Sequence, residues 1–592
     1  MLSIKKSYLR AHCCALAGAI ALMACVAPAE AAAPKPRFTE PTAFDVSKPL
    51  RTMRVPARPM LGTENGGPIE VRREANVRAR VQDNGYTGDG ALDRSVRSRS
   101  AKSGASANMA ISAPLATFEG VSNQDNFNIF GGRVNPPDPV GDIGPNHYVE
   151  MINLVVAVYD RQGNLELGPF DIGALWADFA VEDCTDASGD PIVVYDQFAD
   201  RWILSQFTTR GLDDPALPFY NCVAISQTGD PTGAYYRYAY ITQKDGNTAY
   251  FFPDYPKYGV WTNSYILTTR DFGLIDRYGV SVYALEKNKM LVGNPKARSV
   301  QFFLEADVTA TGTTPLHEVG DGLLPPDIDG TRRPQEGAPA PIVGTQDDGG
   351  GYGATFDAVT LYELSVLWNN APVATLTRKT PLPVAAFDSI FPCGPTARDC
   401  LPQPGIRNPN QYLDILSYRQ RPTYRLAYRN FGKYESIVTN QAVEASPGIA
   451  GVRWYEIRRQ NGTYTVHQQG TYAPADGVHR WMGSAAQDKN GNLAVGYSVV
   501  DATSVFPGIR YAGRLASDPL GTLAQGEETI INGSGVQTTT NSRWGDYTSL
   551  NVDPVDDCTF WYVNQYYTAA GQASSAAGWQ TRIGSFRLSG CQ

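Results

Sequence analysis

Asp160-Arg-Gln-Gly-Asn-Leu165 returns far along the chain as Asp488-Lys-Asn-Gly-Asn-Leu493. An alternating apolar run, Tyr148 to Tyr159, leads into the first copy, and Leu493 to Tyr497 leads out of the second. Asp and Gly between two such runs suit a tight hairpin, because Asp bonds its own backbone and Gly accepts positive φ. A second echo pairs Ser226-Gln-Thr-Gly-Asp-Pro-Thr-Gly233 with Arg514-Leu-Ala-Ser-Asp-Pro-Leu-Gly521. A third combines a turn, a small residue and Asp: Val140-Gly-Asp142, Ser188-Gly-Asp190-Pro191, Phe252-Pro-Asp254-Tyr-Pro256 and Arg543-Trp-Gly-Asp546-Tyr547. Arg480-Trp-Met-Gly483 repeats the opening of the last of these. Hairpins recurring about every 65–80 residues are the mark of four-stranded sheets set around a ring, so the chain is expected to be an all-β propeller. Openings near residues 139, 190, 254, 323, 411, 480 and 543 divide it into seven blades of about 69 residues, six with larger insertions being the alternative. The excess over compact repeats is assigned to surface loops at 311–352 and 380–410.

Composition agrees with that reading. The 592 residues include 32 Tyr, 22 Phe and 9 Trp, with 57 Gly and 41 Pro, a mixture of strand formers and turn formers. Short runs such as Arg201 to Phe207, Cys222 to Ser226, Gly259 to Leu267 and Val452 to Ile457 read as strands, and no long amphipathic helix stands out. A net charge of −8 disfavours a nucleic-acid binder that relies on a broad basic surface. Five His, with no HExxH or HxH pair, make a zinc enzyme a poor fit. Neither a phosphate-binding loop nor a G-x-S-x-G elbow is present.

Residues 1–31 read as a signal peptide: Lys5, Lys6 and Arg10, then an apolar run from Cys13 to Val26, then the small-x-small site Ala29-Glu-Ala31. That run is too short to span a bilayer comfortably, and no later run is longer. The expected location is therefore secreted or periplasmic, with lipoprotein anchoring through Cys25 as the rival. Residues 32–112 are rich in Pro, Arg and Ser, with eleven Lys/Arg against six Asp/Glu between 51 and 104. They read as a disordered basic segment, or as a pro-segment or tether to an anionic polymer. The propeller is expected to occupy 113–592. Six cysteines follow the signal: Cys184, Cys222, Cys393, Cys400, Cys558 and Cys591. In an exported chain without CxxC they suggest disulfides, and nearest-neighbour pairing is the simplest of the fifteen arrangements.

Three stretches resemble a group of secreted bacterial β-propeller proteins of unassigned activity. They are Asp138-Pro-Val-Gly-Asp-Ile-Gly-Pro-Asn-His147, Gly189-Asp-Pro-Ile-Val-Val-Tyr-Asp-Gln-Phe-Ala-Asp-Arg-Trp202 and Asn541-Ser-Arg-Trp-Gly-Asp-Tyr-Thr-Ser549. That resemblance covers about residues 115–592 and implies fold and export rather than a reaction. The hairpin from Ser226 to Gly233 also resembles those of five-bladed glycoside hydrolases, and Asp488-Lys-Asn-Gly491 is similar to part of the sialidase Asp-box. The box is degenerate: Ser484 stands four residues before the Asp rather than two, and no Trp or Phe follows at the expected place.

In a propeller the first strand of each blade lines the axis, so residues opening different blades converge. This predicts a site with Asp142, Asp254 and Asp546 as candidate catalytic carboxylates. Asp190, His147, Arg480, Trp481, Arg543, Trp544 and Tyr547 are the candidate substrate-binding residues. Paired carboxylates in unlike environments serve as acid and base in glycoside hydrolysis, aromatic faces stack on sugars, and Arg holds anionic substituents. The expected partner is a polysaccharide or glycoconjugate, and no cofactor is required, although clustered carboxylates would also suit Ca²⁺. The competing expectation is a non-catalytic glycan- or protein-binding module. There each Asp ties down its own turn, each Trp packs in the core, and each Arg bridges blades.

Overall fold

The computed structural model describes residues 34–53, 69–70, 86–95, 111–242, 244–245, 249–274, 276–390, 399–415, 420–539 and 541–592. The signal, with Cys13, Cys14 and Cys25, lies outside the described residues, as does Cys393.

Seven antiparallel sheets form the blades of a propeller. Their first strands are Val140–Ile143, Ile192–Asp196, Phe252–Val260, Ala340–Gln346, Thr423–Asn430, His479–Gln487 and Ser549–Val552. Blade 4 is built from Ala340–Gln346, Ala358–Leu367 and Val373–Arg378, with short Leu382–Pro383 also on the middle strand. Between blades 3 and 5 the axis is lined by an extra strand, Pro326–Asp329, paired in parallel with Thr423–Asn430. The first strands of blades 1, 2 and 3 and of blades 5, 6 and 7 touch their neighbours around the ring, the last meeting the first, and the extra strand bridges blades 3 and 5. The expected openings lie close to these starts except in blade 4, which begins at Ala340 rather than near 323, and blade 5, which begins at Thr423 rather than near 411 after a hairpin of Asp399–Leu401 with Leu413–Asp414.

The repeated hexapeptide does the same work in both copies. The Asp160 carboxylate accepts the N–H groups of Gln162 and Asn164 and the Asn164 side chain. Asp488 accepts those of Asn490 and Asn492 and the Asn492 side chain. Gly163 and Gly491 stand at φ 87° and 80°, where a Cβ would be strained.

Closure comes from the two ends of the propeller segment. Blade 7 takes Ser549–Val552, Thr559–Tyr567 and Trp579–Arg587 from the C-terminal end, and its outer strand, Ala116–Ser122, from the beginning. Glu150 of blade 1 secures the seam: its Oε2 accepts the Val121 N–H at 2.8 Å. The nearest-neighbour disulfides Cys184–Cys222 and Cys558–Cys591 are formed, and Cys400 is also disulfide-bonded.

The segment expected to be disordered is in part structured. Arg37–Thr39 adds a fifth strand to blade 3, and Ala43–Val46 adds one to blade 2. Phe38 meets Trp368 edge-on and Phe44 packs on Tyr238, while Asp45 pairs with the buried Arg237. Strands this short carry too few alternations to stand out against a basic, Pro-rich background. Tyr86 to Ser95 and residues from Ile111 on also dock on the rim; most of 54–110 lies outside the described residues.

Two measurements follow. The Cys558–Cys591 bond closes a 33-residue separation, so replacing both cysteines by Ser should cost about 4 kcal/mol on the chain-entropy scale, read by denaturant unfolding. Burial raises the Glu150 carboxyl to about 7. A raised acid stabilises the fold while it is protonated, at pH below its ordinary value, and this stability is lost as pH rises towards 7. Glu150→Gln should therefore remove about 3 kcal/mol of pH dependence between pH 4 and 8 relative to wild type; parallel stability–pH curves for the two proteins would contradict it.

Candidate functional site

One end of the axis gathers carboxylates from four places in the chain. Asp138 and Asp190 immediately precede the first strands of blades 1 and 2, Asp254 lies in that of blade 3, and Asp546 precedes that of blade 7. All four are buried; Asp190 and Asp254 keep 7% and 8% of their surface exposed.

The local backbone explains how they meet. Asp138, Asp190 and Tyr255 stand at φ 49°, 43° and 55°, and each is followed by proline. A left-handed conformation costs a side-chain-bearing residue about 1–2 kcal/mol, and the ring of a following proline restricts it further. Ser542 and Met482, near the starts of blades 7 and 6, share the left-handed φ. Register shifts between Asp254 and Lys257, Thr423 and Ala427, and Trp481 and Ser484 bend three of the first strands. Such bulges re-aim side chains, and clustered backbone strain is characteristic of functional ends.

Hydrogen bonds join Asp138, Asp190 and Asp546 into one network, and Tyr255 ties in Asp254 by donating its N–H to Asp254 Oδ1 at 2.9 Å and its hydroxyl to the Asp546 carbonyl at 3.2 Å. The Asp546 N–H donates to Asp138 Oδ1 at 2.6 Å. Asn153 Nδ2 donates to Asp138 Oδ2 at 2.7 Å, and its Oδ1 accepts the Asp190 N–H at 2.9 Å. The Tyr547 hydroxyl donates to Asp190 Oδ2 at 2.9 Å. Arg543 pairs with Asp546 Oδ1 at 3.0 Å, and Arg421 lies 3.8 Å from Oδ2. The Lys257 ammonium sits over the rings of Tyr255 and Tyr547, while the Arg421 guanidinium covers Tyr255.

The electrostatics divide the acids. Burial, followed by repulsion from Asp254, Asp138 and Asp546, pushes Asp190 well above the carboxylate range. Burial also raises Asp138 and Asp254, with Asp546 adding repulsion in each case. Asp546 instead forms an ion pair with the Arg543 guanidinium. Burial, reinforced by Arg421, lowers Lys257 well below the usual amine range. Asp190 and the arginine-paired Asp546 thus stand in unlike electrostatic surroundings.

The predicted residues are divided among several places. Asp190, Asp254, Asp546, Arg543 and Tyr547 come together. Asp142 stands apart, its oxygens accepting the N–H groups of Ile143 and Tyr195. Its charged neighbours are Asp327 and Arg425, and burial raises its carboxyl to about 8. Arg480 is held by Asp476 and by Glu527 on the outer strand of blade 6. Trp481 and Trp544 are core residues, packed on one another at 5.1 Å. His147 pairs with Glu166 at 3.0 Å.

Sequence reasoning missed Asp138, Asn153, Lys257, Tyr255 and Arg421. Asp138-Pro139 repeats Asp190-Pro191, and that echo marks Asp138 rather than Asp142 as the equivalent position. A second acidic group, Asp347, Asp348 and Asp357, brings its carboxylate oxygens within 4.8 Å of one another. Asp347 and Asp357 there accept N–H groups from Gly349, Ser389, Asp348 and Phe387.

No family model matches the chain, and no curated protein matches it. Among solved structures, an endo-arabinase from Bacteroides thetaiotaomicron aligns at 11% identity over 56% of this chain and 94% of its own, with TM-score 0.26. An α-L-arabinanase from Penicillium chrysogenum aligns at 11% over 70% and 96%, with TM-score 0.30. The catalytic domain of a Coprinopsis cinerea GH62 α-L-arabinofuranosidase aligns at 10% over 67% and 90%, with TM-score 0.25. At these scores the likeness specifies neither an activity nor a substrate.

Asn153→Ala would leave Asp138 Oδ2 and the Asp190 N–H without their partner. It should cost about 1–3 kcal/mol in denaturant unfolding, as expected for unsatisfied buried groups.

Proposed function

We propose that the chain is an exported propeller acting on polysaccharide, a glycoside hydrolase whose acid–base centre is the Asp138/Asp190/Asp254/Asp546 end of the axis. The observation that carries this reading is the division among those acids: Asp190 is driven neutral by burial and by its neighbours, while Asp546 is paired with Arg543. Glycoside hydrolysis needs one protonated and one ionised carboxyl flanking the bond, and unlike environments supply that difference. In this reading Asp190 protonates the leaving oxygen. Asp546 acts on water or on the sugar, with Arg543 and Arg421 as its cationic neighbours. Asp138, Asn153 and Asp254 position the pair.

Export is supported by the N-terminal signal pattern and by the disulfides. No helix among the described residues is long and apolar enough to cross a membrane.

A non-catalytic glycan-binding module is the second reading. It is favoured by the burial of all four carboxylates and by the donors already bonded to Asp138 and Asp190.

Reducing-sugar release from a panel of plant and bacterial polysaccharides separates the two. Hydrolysis should fall by about 10²–10⁴-fold in Asp190→Asn and in Asp546→Asn, and persist in Asp142→Asn. Release that survives both of the first two substitutions would exclude this centre, and glycan binding without release by wild type would establish the second reading.

A further inference from the structure

Arg453, in the strand Ile449–Gln460 of blade 5, is fully buried and makes five hydrogen bonds. Its Nε donates to Thr471 Oγ1 at 2.6 Å, and Nη1 donates to the Ala385 carbonyl and to Gln469 Oε1. Nη2 donates to the Ala386 carbonyl and to Asp89 Oδ1, the latter at 2.7 Å. The guanidinium lies between the rings of Phe387 and Tyr455. Four of these acceptors are neutral and belong to the propeller. The one anion is delivered by the N-terminal segment, and it too is fully buried.

The residues around Asp89 lie on the propeller as an extended ligand would. The Gly90 N–H donates to the Ala386 carbonyl at 2.8 Å. The Thr471 N–H donates to the Ala91 carbonyl at 2.8 Å, and the Asp93 N–H donates to the Thr471 carbonyl at 3.0 Å. Leu92 thereby forms a parallel bridge with Thr471. Asp93 Oδ2 accepts the Leu523 N–H. A Cβ at Gly90 would come within 3.1 Å of the Ala386 nitrogen and 3.2 Å of the Ala385 methyl, so a larger residue would crowd the wall. Backbone bonds supply affinity, while one buried arginine and one small-residue contact supply selectivity, the two parts of strand-addition recognition.

We infer that the rim where Ala385, Ala386, Arg453 and Thr471 meet is a peptide-binding site for extended acidic segments of the form Asp-Gly-x-x-Asp, occupied here in cis by Asp89 to Asp93. Arg453 is its specificity residue, because a peptide lacking the first Asp would leave a buried guanidinium without a counter-ion.

A fluorescent peptide of sequence Tyr86–Ser95 tests this on the full chain. The site should be open in Asp89→Asn/Asp93→Asn, which should bind the peptide at least about tenfold more tightly than wild type does. A peptide with both Asp replaced by Ala should not bind. Equal binding to both chains, or binding to neither, would overturn the inference. Should the double variant fail to fold, hydrogen exchange of wild type decides. Millimolar peptide should accelerate exchange at Gly90 and Asp93 through displacement of the native segment, and unchanged protection would overturn the inference.

Discussion

The pairing of Ala116–Ser122 with Trp579–Arg587 holds the rest of the molecule to its shape. Seven radial sheets form a ring only if the last is tied to the first, and the chain does this by giving blade 7 a strand from its own beginning. The tie also assembles the axial centre. Asp138 and Asp546 stand on either side of the seam and are joined by a single hydrogen bond. Gly141 and Ser549 lock the same seam a few residues away, through Gly141 N–H to Ser549 Oγ. The acids at the mouth of the axis are therefore neighbours only while the ring is shut.

Burial is the second constraint. Several first strands carry an acid into the axis or to its ends, and each acid needs donors or a cation there. Near the mouth those roles fall to Asn153, Arg543, Arg421 and Tyr547. Further along, Arg425 bonds Asp327 at 2.8 Å and Asp329 at 3.0 Å. Lys287 pairs with Asp196 at 2.6 Å. Buried acids along the axis are thus met by cations, and carboxylates outnumber them both at the mouth and around Arg425, which faces Asp142, Asp327 and Asp329.

The repeated turns made the blades legible, because a hairpin Asp and its Gly act through bonds spanning only a few residues. Asp160 and Asp488 do in three dimensions what their spacing implies. Convergence at the axis was legible in outline: Asp190, Asp254 and Asp546 do meet. Asp138 and Asp142 both lie near a blade opening, and only the left-handed turn at Asp138-Pro139 separates the one at the mouth from the other. Trp481 and Trp544 are suited by type to stacking on sugars, yet an aromatic in or just before a first strand packs equally well between sheets. Nothing local distinguishes the two. Lys257 and Arg421 had no motif at all; their importance comes from long-range packing.

The short strands Arg37–Thr39 and Ala43–Val46 cover the outer edges of blades 3 and 2. Blade 4, like blades 1, 5, 6 and 7, has no such cover: among the described residues no strand pairs beyond Val373–Arg378, where Val373, Thr375, Thr377 and Arg378 face solvent. An exposed strand margin recruits foreign backbone, so in crowded solutions the margin of blade 4 is one place where copies of this protein would pair. The single terminal cation, Arg378, is the only charge in that strand opposing such contact.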